Sequence, residues 1–121
     1  MKRTKIKIPI YDCSILILEI EQKQDKDVVA KELNRIKVNK DEIDSICEEI
    51  ERECTGGGYT FRNFDLQKIV VLLYPCKNAK ERRNLIAHEK RHIEDRLLEN
   101  RGVNDIEASA YLAGYLGEYM Y

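Results

Sequence analysis

The sequence has no tryptophan, two prolines and two histidines. It has no excess of charge either: 21 Lys and Arg stand against 22 Asp and Glu, for a net charge of −1. That balance argues against a protein held to nucleic acid by bulk charge. No apolar run reaches the ~18 residues of a membrane-spanning helix. The longest, Ile69-Val-Val-Leu-Leu-Tyr74, has the length of a strand. The stretch MKRTKIKIPI is basic but carries no apolar h-region and no cleavage site, so a cytoplasmic protein with no membrane partner is expected. The cysteines, Cys13, Cys47, Cys54 and Cys76, include no CxxC pair, which removes the zinc-ribbon reading. They are expected to be packed thiols in a reducing compartment, with Cys47 and Cys54 on one helix face.

What is present is a globular composition: 43% hydrophobic and 36% charged residues in a chain of 121. This is the size of a single domain, expected to span residues 1–121. Lys5 to Ile8 alternates charged and apolar residues, and Pro9 interrupts the run, which suits an edge strand. Lys2, Arg3, Lys5 and Lys7 read as a solvated strand face, so nucleic acid is not an expected partner. Ser14 to Ile20 is β-branched and apolar and reads as a second strand. Helical spacing follows from Asp25 to Val38, then from an Asn39 or Asp41 cap to about Cys54. Gly56-Gly-Gly58 is expected to stop that second helix. Tyr59–Phe64 and Lys68–Tyr74 read as a hairpin. Pro75 ends it, Asn78 caps a long helix from Ala79 to Asn100, and Asn104 caps a final helix to about Tyr119.

Both histidines fall in one motif on the long helix, His88-Glu-Lys-Arg-His92. Residues i and i+4 lie one turn apart on one face, so two imidazoles can converge on one ion. At about 100° per residue, His92 falls ~40° from His88 and Glu89 ~100° from it. Leu85, Ile86, Ile93 and Leu97 occupy roughly 60° to 180°. The histidines thus flank the apolar stripe and Glu89 lies inside it. An ionised carboxylate aimed at a core is costly, so it needs a reason to be there. A third ligand is needed for a tetrahedral site with one open position. Glu107 is the best candidate, with Glu99, Asp95 and Glu118 behind it. Asn104-x-x-Glu107 also has the form of a capping box, which would employ Glu107 locally instead.

The His88-Glu-Lys-Arg-His92 motif, followed by Asn104-Asp-Ile-Glu-Ala-Ser-Ala110, resembles the gluzincins, zinc metallopeptidases with an HExxH helix and a downstream glutamate. The short chain looks most like minimal gluzincins and the ImmA/IrrE-type peptidases of phages and stress responses. The resemblance covers about residues 59 to 120. It implies an α+β, zincin-like fold: a small antiparallel or mixed sheet packed on the HExxH helix and on a C-terminal glutamate helix. It implies one Zn2+ ion held by His88, His92 and Glu107, with Glu89 as general base. It also implies a polypeptide substrate, paired with the strand near Lys68 to Tyr74 as the sheet edge. Tyr111, nearest Glu107 on the final helix, is the favoured hydroxyl for the oxyanion, although that helix's tyrosines equally suit packing. The expected function is hydrolysis of a peptide bond through a metal-activated water. The alternative is a catalytically inactive metal-binding domain acting in protein–protein interaction, which the charged Lys90 and Arg91 inside the motif favour.

Overall fold

The structure is a computed structural model that describes residues 1–9, 12–100, 113–118 and 120, with backbone alone for 98–100. It is an α+β domain. The elements run β1 (Lys2–Ile8), β2 (Cys13–Glu19), α1 (Asp25–Arg35), α2 (Lys40–Glu51), β3 (Gly58–Asn63), β4 (Lys68–Leu73) and α3 (Ala79–Asn100). Residues 113–118 form a further helical segment, α4. The rest of the expected final helix, with Glu107 and Tyr111, lies outside the described residues. Among the described residues no helix is long and apolar enough to cross a membrane.

The four strands form one mixed sheet in the order β1-β2-β4-β3. β1 pairs antiparallel with β2, β2 parallel with β4, and β3 antiparallel with β4. The sheet is covered on both faces. Ile6, Ile8, Ile15, Ile69, Val71 and Leu73 pack towards Ile86, Ile93 and Leu97 of α3 and Leu116 of α4. Leu18, Val70 and Leu72 pack towards Val29 and Leu33 of α1 and Ile43, Ile46 and Ile50 of α2. Each such side chain contributes about 1.5–3 kcal/mol on burial, so both layers matter to stability.

Local chemistry sets the boundaries. The buried Asp25 carboxylate accepts from the backbone N–H of Glu21 at 2.8 Å and of Gln22 at 3.1 Å, which anchors the entry to α1. Asn39, not Asp41, caps α2, with its side chain accepting from the Asp41 N–H at 2.8 Å.

Two expectations are corrected here. The three glycines do not stop α2. It ends at Glu51, and Glu53 takes the left-handed turn at φ 58°, with the Cys54 N–H bonded back to the Glu49 carbonyl. That leaves Cys54 beyond the helix that carries Cys47. All four cysteines are thiols. Second, Lys68 to Tyr74 is not an edge. β4 lies between β2 and β3, and Ile69 to Leu73 are buried on both faces. A run apolar at every position belongs inside a sheet covered on both sides. The edges are β1 and β3.

Candidate metal centre

α3 presents its motif as the periodicity requires. Ile86, Glu89, Ile93 and Leu97 are buried, whereas His88, Arg91 and His92 are exposed. The two imidazoles meet edge to face, with ring centroids 4.5 Å apart and planes at 89°. Their Nε2 atoms are 3.0 Å apart. Two nitrogens bound at about 2.0–2.1 Å to a tetrahedral zinc are separated by roughly 3.3 Å. The Nε2 separation is thus slightly shorter than that of two zinc-bound nitrogens, and it is equally that of a hydrogen bond from one ring to the other. His88 and His92 fit zinc as two of its ligands.

Glu89 is 3% exposed. It is tolerated there because Thr60, on β3, donates its hydroxyl to Glu89 Oε2. The other carboxylate oxygen, Oε1, faces Gly58. A Cβ on Gly58 would stand 3.4 Å from that oxygen and 2.5 Å from the Leu72 carbonyl oxygen. Only glycine lets the strand start so close to β4 with Glu89 beneath it.

Among the described residues no strand pairs with the outer edge of β3, beside Glu89, and that edge has a defined phase. The Tyr74 N–H donates to the Gly57 carbonyl at 2.9 Å, which makes Gly57 and Tyr74 a hydrogen-bonded pair. Such pairs alternate along an antiparallel ladder. Tyr59 and Phe61 thus point their backbone groups into β4, and Gly58, Thr60 and Arg62 point theirs outward. The outward residues share the sheet face of Glu89. Neither a protein-family model, nor a curated protein, nor a solved structure matches this chain.

The third ligand is not placed. Glu107 and Tyr111 lie outside the described residues, as does the side chain of Glu99. Asp95 and Glu118 are described and exposed, and neither completes a group of three His, Cys, Asp or Glu with the histidines.

The residues missed from sequence are Thr60 and Gly58. The alternation in Tyr59-Thr-Phe-Arg62 separates the Thr60 face from the aromatic face, but nothing in it names Glu89 as the partner. The acidic face of α2 also holds more than solvated charge. Glu49 accepts from the Tyr59 hydroxyl at 3.1 Å and from the Tyr74 hydroxyl at 2.7 Å. Burial, and then the bond to Glu49, raise the pKa of the Tyr74 phenol far above its ordinary value.

Proposed function

We propose that the chain is a minimal gluzincin-like peptidase, in which His88 and His92 hold zinc and Glu89 is the general base. One observation carries this: two exposed imidazoles with Nε2 atoms 3.0 Å apart sit beside a carboxylate that is 3% exposed and bound to an edge strand. Glu107 as third ligand and Tyr111 as oxyanion donor are supported by spacing and by the gluzincin resemblance.

Zinc, when bound, supplies Lewis acidity to the attacking water and to the scissile carbonyl. The outward N–H and C=O groups of Gly58, Thr60 and Arg62 receive an extended peptide as an added strand. Glu89 takes the proton of the attacking water and passes it to the leaving amine. Oε1 serves for this, because Oε2 is held by Thr60. A cytoplasmic polypeptide is the substrate class.

A second function, a metal-binding domain acting only in protein–protein interaction, is favoured by the half-buried Lys90 and exposed Arg91 within the motif. Metal content and peptidase activity, measured on protein purified without a His tag, separate the two. The expected result is one zinc per chain, lost in His92→Ala. Glu89→Gln should keep the zinc and lose at least ~100-fold in cleavage. Zinc without cleavage of a broad peptide library selects the second function. A wild-type chain with no stoichiometric metal overturns both.

A further inference from the structure

On the sheet face away from α3, the fold gathers cations that are distant in the chain. Alternate residues of a strand share a face. Ile6, Ile8, Cys13, Ile15 and Ile69 face α3, so Arg3, Lys5, Lys7, Ser14 and Lys68 face the α1 side. The register sets Lys7 beside Ser14 and Ser14 beside Lys68, in one row across three strands. Arg35, in the last turn of α1, closes over them. The result is a cleft of about 230 Å³ with Arg3, Lys5, Arg35, Lys68 and Ser14 on its rim. Leu16, Ile36 and Val70 line it below.

Among the described residues the only acid lining it is Glu32, which is 7% exposed. Its Oε1 accepts from Arg3 Nη2 and from Arg35 Nη1, each at 2.9 Å. Each guanidinium spends one of its five N–H donors there. The shared carboxylate therefore holds two Arg heads side by side with donors left over. Among the described residues no carboxylate pairs with Lys5, Lys7 or Lys68. Four cations around one buried carboxylate, in a chain of net charge −1, make a concave surface of one sign. Such a surface over a low-dielectric floor concentrates its field on an anion.

We propose that this cleft binds an organic phosphate. The phosphate group sits among Lys5, Lys68, Arg35 and the Ser14 hydroxyl, and the body of the ligand lies on Leu16, Ile36 and Val70. Guanidinium forks match phosphate oxygens in pairs, and the lysines add point charge. Two sources present this chemistry: a free phosphate monoester of nucleotide size, and the backbone of a nucleic-acid strand. Lys7, continuing the cationic row outside the cleft, would serve the second.

Isothermal titration calorimetry on the full chain tests the site with AMP, inorganic phosphate and a ten-residue oligothymidylate lacking a terminal phosphate. AMP is expected to bind saturably, more tightly than inorganic phosphate, and more weakly as salt rises. Lys5→Glu and Lys68→Glu should each weaken it at least tenfold. Lys77→Glu, an exposed lysine outside the cleft, should not. Thermal melts check that the exposed substitutions leave the fold intact. If the oligonucleotide binds more tightly than AMP and the same variants weaken it, the phosphate source is a nucleic-acid strand and the site stands. No saturable binding of any probe, or binding that Lys5→Glu and Lys68→Glu leave unchanged, overturns the proposal.

Discussion

The hydroxyl of Thr60 on β3 donates a hydrogen bond to Oε2 of Glu89 on α3. It joins an edge strand of the sheet to the buried carboxylate of the HExxH motif. Replacing Thr60 with Val removes the donor and leaves a desolvated acceptor. We expect Thr60→Val to lose about 1–3 kcal/mol in denaturant unfolding. Thr60→Ser keeps the hydroxyl and should recover most of that. Equal stabilities for the Val and Ser variants would show that the bond contributes nothing.

Gly58 admits no side chain. Its Cβ would meet the backbone carbonyl oxygen of Leu72 at 2.5 Å, and a carbonyl in a central strand cannot move aside cheaply. Gly58→Ala is therefore expected to cost about 1–3 kcal/mol, in the range of overpacking. Gly117→Ala is the control, because among the described residues nothing stands within 4 Å of its Cβ. Comparing the two by thermal melting separates the clash from a general loss of glycine.

Tyr74 makes stability depend on alkaline pH. Its phenol pKa is raised first by burial and then by the bond to Glu49. A phenol whose pKa is raised by folding holds its proton more tightly in the native state. Its contribution is complete below the unfolded value of about 10 and is lost as pH rises beyond it. We expect stability to fall above about pH 10 by up to ~1.4 kcal/mol per pH unit from this group. Tyr59, raised chiefly by burial, adds to the slope with the same sign. Urea unfolding of Tyr74→Phe between pH 9 and about pH 11 should show a flatter decline. An unchanged slope would remove Tyr74 as its source.

Much of the candidate site was legible because it is local. The bounds of α3, the shared face of His88 and His92, and the inward aim of Glu89 all follow from the turn of one helix. The cap of α2 was legible only as Asn39 or Asp41, and the structure chose Asn39, whose side chain accepts from the N–H two residues on. The placing of Lys68 to Tyr74 at an edge followed the resemblance and not the pattern. Ile69 to Tyr74 is apolar at every position, which is the pattern of an interior strand.

Sequence alone determined which residues of α3 face the core and which face solvent, since a helix has one period and one hand. Tertiary structure decided what they face. Thr60 reaches Glu89 across 29 positions of the chain, and Glu32 draws in Arg3 from the same separation. Lys5, Ser14 and Lys68 become neighbours only through the order β1-β2-β4. Strand order is set by pairing between distant segments, and periodicity within a segment carries no record of its partner.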